Sequence, residues 1–232
     1  MTRTAETAPN AVVLGVDLAQ SSDYTAIVVS EIIRTDSNHY VTRAIQRWQP
    51  ARYQLVVDRV AQMLPKLREG VHVLQPNGTN YDYVRPTVTV VIDRTGVGRA
   101  VGDMFSEAKL DCRLELVTIT SGHQVNRDED GGWLVPKKDL MDAALVVMQN
   151  GRLAIAEQTP HAATLRAEMQ SFRRRTSLAG RETFAAGDDW RREGRHDDIV
   201  LGQALALWAA EQPKPSGLVP GFLYAQAFAG LL

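Results

Sequence analysis

The stretch TVTVVIDRTGVGRAVGDMFSEA, residues 87–108, sets the fold class of this chain. Its first part, TVTVVID, is rich in β-branched residues and ends on Asp93, a pattern that predicts a strand. A glycine-rich turn follows, and apolar residues then recur at the spacing of a helix. The next apolar run, RLELVTIT at 113–120, indicates a second strand. A strand, a helix and a strand in this order predict parallel pairing through a right-handed crossover.

Three further strands are predicted upstream of this unit. Short β-branched runs at 12–16 and 24–33 flank the polar loop LAQSSD, and HYVTRAIQRW at 39–48 alternates loosely between apolar and polar residues. The first of these runs is followed directly by Asp17. Because the three segments are short and joined by short connections, they predict an antiparallel meander.

Helices and two hairpins complete the predicted architecture. An Asn-Gly pair in VHVLQPNGTNYDYVRP, residues 71–86, predicts an added β-hairpin, and a polar hairpin is predicted at residues 173–187. Thr159 fits an N-cap and Pro160 a first helical position, so a helix is predicted to start there. Helical spacing of apolar residues predicts helices at 53–70, 99–108, 137–150 and 159–172, and a segment that is apolar on nearly every face predicts a buried helix at 196–210. The expected fold class is α/β, with a mixed five-stranded sheet, antiparallel meander plus parallel strands, flanked by helices.

The composition is that of an ordinary globular protein. The 232 residues are 44% apolar and 23% charged, with a formal net charge of −1, so a nucleic-acid partner would need a local basic patch. The lone Cys112 excludes an internal disulfide and a cysteine zinc site, and it fits a reducing cytoplasm. Neither a secretory signal nor an apolar run of about 18 residues is found, so a membrane location is not expected.

The chain divides into three parts by composition. We predict an N-terminal extension at 1–11, one α/β domain at 12–211, and a Pro/Gly-rich apolar tail at 212–232. The phosphate loop GxxxxGK[ST] is absent from the sequence, so this chain is not expected to bind or hydrolyse ATP.

Aspartates end two predicted strands and open the last predicted helix. Asp17 and Asp93 end the first and fourth strands, and Asp197 and Asp198 begin the helix in HDDIVLGQALALWAA. If the first and fourth strands are neighbours, Asp17 and Asp93 emerge side by side, because parallel strands place their carboxyl ends on one edge of a sheet. The helix that begins at Asp198 can then bring a third carboxylate to that edge. Clustered carboxylates are stable as ionised groups only beside a divalent cation, and hard oxygen ligands select magnesium or manganese.

Such a cluster suits phosphodiester chemistry, although simpler interpretations stay open. Two divalent cations about 3.5–4 Å apart would activate a water and stabilise the leaving oxygen. Alternatively, Asp17 and Asp93 could be ordinary turn residues, and Asp197 or Asp198 could simply cap the helix. The TGVGRAVG turn could serve chain reversal or cradle a phosphate.

Three segments carry a resemblance to a known family. GVDLAQSSDYTAIVV (15–29), VVIDRTGVG (90–98) and HDDIVLGQALALWAA (196–210) resemble the nuclease domain of phage terminase large subunits. That domain belongs to the RNase H-like, or retroviral integrase-like, superfamily. GGWLVPKKDL and LRAEMQSFRRR resemble its connecting segments, so the resemblance covers residues 12–210. It implies an RNase H-like sheet for this chain.

The resemblance also implies catalytic and metal-ligating roles for three aspartates. Asp17 would bridge two Mg²⁺ or Mn²⁺ ions, Asp93 would complete one metal site, and Asp198 would complete the other. Asp197 would support Asp198 or act as an alternative ligand. Asp23 is a candidate additional ligand, provided that the LAQSSD loop folds back.

Neighbouring residues are candidates for contact with DNA. His196 would orient water or contact the scissile phosphate. Four arginines, Arg173, Arg174, Arg175 and Arg181, lie in a segment without acidic residues. Such a run is either a solvated face or a set of contacts to the DNA backbone.

The activity implied by the resemblance is metal-dependent endonucleolytic cleavage of double-stranded DNA, as in phage genome packaging. The implied partners are double-stranded DNA, a separate ATPase motor, a small terminase subunit and a portal, in the host cytoplasm and without a membrane. A Holliday-junction resolvase or a ribonuclease H would share the carboxylates and differ in substrate.

Two alternatives belong to other functional classes. A non-catalytic DNA-binding or assembly module would keep the fold and cut nothing. GVDLAQSSDYTAIVV is also similar to the first phosphate strand of sugar kinases and actin-like ATPases. Those folds need a much longer chain, and Ala19 stands where they usually have glycine.

Overall fold

The strand that ends on Asp17 lies near the middle of the main sheet. The computed structural model describes residues 3–4, 11–18, 24–34, 36–50, 52–74, 81–96, 99–176, 182–186 and 197–212. The strands in chain order are β1 (Arg3–Thr4), β2 (Ala11–Asp17), β3 (Thr25–Arg34), β4 (Asn38–Trp48), β5 (Val71–Leu74), β6 (Tyr81–Val84), β7 (Thr87–Asp93), β8 (Arg113–Thr120), β9 (Asn126–Arg127), β10 (Trp133–Pro136), β11 (Leu153–Ile155), β12 (Phe172–Thr176) and β13 (Glu182–Ala186). The helices are α1 (Gln54–Leu67), α2 (Arg99–Glu107), α3 (Lys137–Gln149), α4 (Ala162–Ser171) and α5 (Asp198–Glu211).

The main sheet has eight strands in the order β11-β4-β3-β2-β7-β8-β10-β9. β2, β3 and β4 pair antiparallel in sequence order, and β2, β7 and β8 pair parallel. The predicted meander and crossover are therefore confirmed, and they account for the five expected strands. The sheet is wider than predicted because β10 and β9 extend one edge and β11 extends the other. These edge strands are two to four residues long, too short for a periodic signal.

Helices cover both faces of this sheet, so successive side chains of β2 enter two different cores. Val13 faces a core shared with α3, α4 and α5. Val12, Leu14 and Val16 face a second core shared with α1 and α2. Both faces are apolar because each is packed under helices, as expected for a strand in the interior of an α/β sheet. Among the described residues, no helix is both long and apolar enough to cross a membrane.

Helix α5 packs on the sheet with nearly every face buried. Of its 14 residues, 11 are buried, which accounts for an apolar pattern without a clear period. A Cβ atom added to Gly15 of β2 would lie 1.8 Å from the carbonyl oxygen of Gly202 in α5. The helix and the strand therefore touch backbone to backbone at this crossing, and only glycine at position 15 leaves the room.

A buried polar group fixes the position of α5 on the sheet. Gln203 accepts a hydrogen bond from the Thr42 hydroxyl at 2.7 Å and donates one to Ser30 Oγ at 3.2 Å. Thr42 lies in β4 and Ser30 in β3, at the irregularity in their pairing. Because an unpaired amide in this core would be costly, the three side chains specify one placement of the helix.

Both predicted hairpins are present. β5 pairs antiparallel with β6, and β12 pairs antiparallel with β13. Residues 3–4, in the predicted N-terminal extension, form β1, which pairs parallel with β5. The boundaries of the extension, domain and tail stay predictions, and residues 213–232 lie outside the described part of the chain.

The start of α4 differs from the prediction. The helix begins at Ala162, after a turn in which His161 has a φ of 60°. Thr159 Oγ1 donates instead to the carbonyl oxygens of Thr42 and Arg43, at 3.4 and 3.3 Å. The hydroxyl thus serves the neighbouring sheet rather than the helix, so the predicted cap at Thr159 is wrong.

Candidate functional site

The aspartates singled out in the sequence lie at one edge of the main sheet. Asp17 and Asp93 end the neighbouring parallel strands β2 and β7. Asp198 is the first residue of α5, and Asp197 immediately precedes it. The charges of Asp93, Asp197 and Asp198 all raise the pKa of Asp17. The fold therefore brings three other carboxyl groups within electrostatic reach of Asp17.

The surroundings of Asp17 disfavour its ionised form. Burial raises its pKa well above the ordinary value, and the three neighbouring carboxylates raise it further. The ammonium group of Lys137 acts in the opposite direction. Asp17 makes no ion pair with any side chain in the described residues. An ionised Asp17 would thus be stabilised strongly by an added cation.

Asp93 forms a turn hydrogen bond and has a raised pKa. Its Oδ1 accepts a hydrogen bond from the Thr95 amide at 2.7 Å, so the interpretation as a turn residue is correct for one of its oxygens. Burial raises the pKa of Asp93 to about 6, although the hydrogen bonds to Thr95 and the charge of Lys137 lower it. The carboxyl is held in a fixed orientation by its own loop.

Asp198 is bound by an arginine from the far side of the meander. Arg47 donates from Nε to Oδ2 at 2.8 Å and from Nη2 to Oδ1 at 3.1 Å, so both carboxylate oxygens are engaged. The guanidinium also lies 4.2 Å from the centre of the Tyr24 ring. Both charged side chains are largely buried, which makes this pair sensitive to the loss of either partner.

Asp197 is paired with the lysine that opens α3. Lys137 Nζ lies 3.2 Å from Asp197 Oδ2, and its charge lowers the pKa of Asp17 and Asp93 as well. β10 leads directly into Lys137, and β10 is parallel to β8, so the lysine emerges at the same edge of the sheet as the acids. Asp197 occupies the N-cap position but its side chain makes no capping hydrogen bond.

A fifth acid, Glu168 of α4, contacts the first turn of α5. Its Oε2 accepts a hydrogen bond from the Val200 amide of α5 at 2.9 Å. Burial raises the pKa of Glu168 to about 8, and the charges of Asp198 and Asp197 contribute to the increase. The hydrogen bond to Val200 and the charge of Arg47 lower it.

The donor chemistry fits a divalent cation, but the carboxylates are not yet gathered around one point. No group of three or more His, Cys, Asp or Glu side chains in the described residues is arranged to hold a metal ion. Two of the acids are instead held by Arg47 and Lys137, which act as internal counter-ions. Each oxygen of Asp198 accepts one hydrogen bond from Arg47 and has a second lone pair that a cation could use.

The remaining predicted residues are only partly described. Asp23, His196 and Arg181 lie outside the described residues. Arg173, Arg174 and Arg175 lie in β12, but nothing is described of their side chains. Gly96 has a φ of 75°, which favours glycine and fits the chain-reversal interpretation of the turn after β7.

Sequence patterns did not single out Arg47, Lys137 or Glu168. Arg47 is one polar residue in an alternating strand, and nothing local distinguishes it. Lys137 and Glu168 lie within the segments GGWLVPKKDL and LRAEMQSFRRR, which were noted only as connections. Glu168 follows Leu165 by three residues and therefore lies on the same, apolar face of the predicted helix. A charged residue on that face is the sequence signal that could have identified it.

The raised pKa values predict how stability depends on pH. A carboxyl group with a raised folded pKa stabilises the protein fully below its unfolded pKa, and this contribution is lost as pH rises through the folded pKa. Asp17 has a strongly raised pKa, and Asp93 and Glu168 have values of about 6 and about 8. In EDTA, the melting temperature should therefore decrease from about pH 5 to about pH 9.

Thermal unfolding followed by circular dichroism across this pH range checks the prediction. Asp93→Asn and Glu168→Gln should each flatten the decline, whereas Asp58→Asn on the exposed face of α1 should leave it unchanged. A melting temperature that rises or stays level between about pH 5 and about pH 9 would contradict the electrostatic description of the site.

Comparison with known proteins connects this geometry to solved structures. No protein-family model matches the chain, and no curated protein matches it by sequence. The structure is similar to the large terminase nuclease of thermophilic phage G20c with bound cobalt, at a TM-score of 0.56 and 18% identity, covering 85% of this chain and 80% of that one.

Two further structures extend the comparison. The nuclease domain of the large terminase subunit gp2 of bacterial virus Sf6, a K428A mutant with manganese and β-thujaplicinol, matches at a TM-score of 0.55 and 13% identity, covering 90% of this chain and 91% of that one. The large terminase of bacteriophage HK97 matches at a TM-score of 0.51 and 14% identity, covering 89% of this chain and 41% of that one.

These comparisons assign the fold. The eight-stranded mixed sheet with helices on both faces is an RNase H-like α/β fold. Within that class, the chain has the fold of the nuclease domain of large terminases, as the sequence resemblance predicted.

Proposed function

We propose that this chain is a metal-dependent endonuclease that cleaves double-stranded DNA, as the nuclease component of a phage terminase. The observation that carries the proposal is the meeting of Asp17 with the charges of Asp93, Asp197 and Asp198 at one edge of the sheet. Burying acids together without full compensation is costly, so such an arrangement points to a site built for cations. The shared fold of terminase nucleases with bound cobalt or manganese supports this interpretation.

The proposed cation ligands are Asp17, Asp93 and Asp198, with Asp197 as a supporting or alternative ligand. Carboxylate oxygens are hard donors, which favours Mg²⁺ or Mn²⁺. Divalent cations in such sites supply a nucleophilic hydroxide at neutral pH and neutralise charge on the phosphodiester. Asp93 is held for this role by the Thr95 amide, which fixes one of its oxygens.

The two basic side chains have separate tasks in this proposal. Arg47 orients Asp198 through two hydrogen bonds. Its guanidinium group has the geometry that also suits a DNA phosphate. Lys137 opposes the rise in the pKa of Asp17 and Asp93 and so favours their ionised forms. Its ammonium group also adds positive charge where a phosphate would bind.

The proposed partners are those of a packaging machine. Double-stranded DNA is the proposed substrate, and an ATPase motor is a proposed partner because these 232 residues contain no phosphate loop. The match covers 41% of the HK97 large terminase, so that protein has further residues outside the matched region. A small terminase subunit and a portal complete the proposed assembly.

A cleavage assay on supercoiled plasmid tests the proposed activity. We expect nicking and linearisation in Mn²⁺ or Mg²⁺, and no cleavage in EDTA. Parallel reactions with a four-way DNA junction and an RNA–DNA hybrid separate the alternatives, since a resolvase or a ribonuclease H would prefer those substrates. DNA binding without cleavage of any substrate would favour the non-catalytic module, and tight binding of ATP would favour the kinase-like alternative.

The hairpin β12–β13 is the proposed DNA-backbone contact. Replacing Arg173, Arg174 and Arg175 together with alanine should weaken binding to duplex DNA and flatten its dependence on salt, because fewer counterions are released. Fluorescence anisotropy at several salt concentrations measures both quantities. Arg52, Arg59 and Arg113, which are exposed elsewhere on the domain, provide a charge-matched control when replaced together with alanine. Equal affinity and equal salt slope for the hairpin variant would remove this patch from the proposal.

A further inference from the structure

Helix α5 lacks the cap that its sequence leads one to expect. Asp197 occupies the N-cap position with φ −109° and ψ 15°, and its side chain makes no capping hydrogen bond. Its carboxylate lies 3.2 Å from Lys137 instead. The first amides of a helix have no partner within the helix, so another group has to satisfy them.

That group comes from a different helix. Glu168 of α4 accepts a hydrogen bond from the Val200 amide at 2.9 Å, and Val200 is the third residue of α5. This is the amide that an N-cap side chain would ordinarily bind. Both partners are buried, with relative exposures of 9% for Glu168 and 2% for Val200.

The hydrogen bond between Glu168 and the Val200 amide lies next to two aspartates of the candidate site. Glu168 satisfies the Val200 amide, while the side chains of Asp197 and Asp198 contact Lys137 and Arg47. The same hydrogen bond fixes α5 two residues beyond Asp198. This contact between α4 and α5 thus lies at the start of the helix from which both aspartates extend.

We propose that Glu168 is a positioning residue that caps α5 from α4 and so orients Asp197 and Asp198 for cation binding. This inference rests on the proposed function, because it assigns Glu168 a role in the same metal site. Groups that orient metal ligands from outside typically contribute about 10- to 100-fold to metal affinity.

Three variants of the full chain test this role. Glu168→Ala removes the acceptor, and Glu168→Gln keeps an oxygen acceptor while it removes the charge. Leu165→Ala is the control, since it weakens the packing of the same buried face of α4 without touching the hydrogen bond. Each variant is titrated with Mn²⁺ by isothermal calorimetry, and the exchange rate of the Val200 amide is measured by NMR.

We expect Glu168→Ala to weaken Mn²⁺ binding by about 10- to 100-fold and to speed exchange at the Val200 amide. Glu168→Gln should restore both quantities nearly to wild-type values, and Leu165→Ala should lower the melting temperature without weakening Mn²⁺ binding. Loss of affinity in Glu168→Gln equal to that in Glu168→Ala would overturn the proposal, because the charge and not the cap would then matter. An unchanged Val200 amide in Glu168→Ala would overturn it as well.

The experiment separates this proposal from the proposed function. Failure of the wild-type chain to bind Mn²⁺ would contradict the metal site itself, and the positioning role would fall with it. Wild-type binding that Glu168→Ala leaves intact would contradict only the role of Glu168, and the nuclease proposal would stand.

Discussion

Replacing Asp17 with asparagine is expected to reduce metal-dependent DNA cleavage to background and, in EDTA at neutral pH, to raise the melting temperature. The first effect follows from the loss of the proposed bridging ligand. The second follows because burial and three neighbouring carboxylates raise the pKa of Asp17, so its ionised form opposes folding without a cation. A ligand that only supported the fold would show the opposite change in stability.

Asp198→Asn provides the contrast to this variant. It should also abolish cleavage, but it should lower the melting temperature, because Arg47 would lose its carboxylate partner while remaining largely buried. Asp93→Asn should abolish cleavage too, and Asp58→Asn on the exposed face of α1 should cleave like the wild type. Cleavage that persists in all three site variants, or in EDTA, would exclude the mechanism.

Replacing Gly15 with alanine is expected to have the largest effect on stability. The added Cβ would lie 1.8 Å from the Gly202 carbonyl oxygen, 2.8 Å from its carbonyl carbon and 3.0 Å from the Ala206 nitrogen. All of these are backbone atoms, so no side chain can rotate away and α5 has to shift on the sheet. We expect a loss of about 3 kcal/mol or more in the free energy of unfolding, at or above the usual range for overpacking.

Urea unfolding of graded glycine variants checks this prediction. Gly202→Ala should cost less, since its nearest contacts are the Val28 side chain at 3.2 Å and the Gly15 oxygen at 3.3 Å. Gly122→Ala is the control, because its nearest neighbour is the Thr120 hydroxyl at an ordinary 3.4 Å. If Gly15→Ala unfolds at the same urea concentration as Gly122→Ala, the packing of α5 against β2 described above is wrong.

The central strands could be predicted because their signals are local. The runs that become β2 and β7 are short, β-branched and followed by polar loops, and each ends on an aspartate. The rule that parallel strands share a carboxyl edge then places Asp17 beside Asp93, provided that the two strands are neighbours, as they are. The edge strands β9, β10 and β11 carry no such signal, since their pairing is decided by the sheet that they join.

The partners of the acids could not be predicted because they depend on distant contacts. Arg47 reaches Asp198 across 151 positions of the sequence, and Lys137 reaches Asp197 across 60. The same reason explains the wrong cap at Thr159, whose hydroxyl is taken by carbonyls of β4. Local rules rank what a side chain can do, and tertiary contacts decide which of these it does.

The central claim is that Asp17, Asp93 and Asp198 together hold divalent cations. The most direct measurement is a crystal structure of the chain grown with Mn²⁺, with the ions located by anomalous scattering and a second data set from crystals grown in EDTA. We expect manganese to be bound by carboxylate oxygens of Asp17, Asp93 and Asp198 in the first data set and to be absent from the second. Well-ordered crystals grown with Mn²⁺ in which no manganese lies at these three carboxylates would contradict the claim.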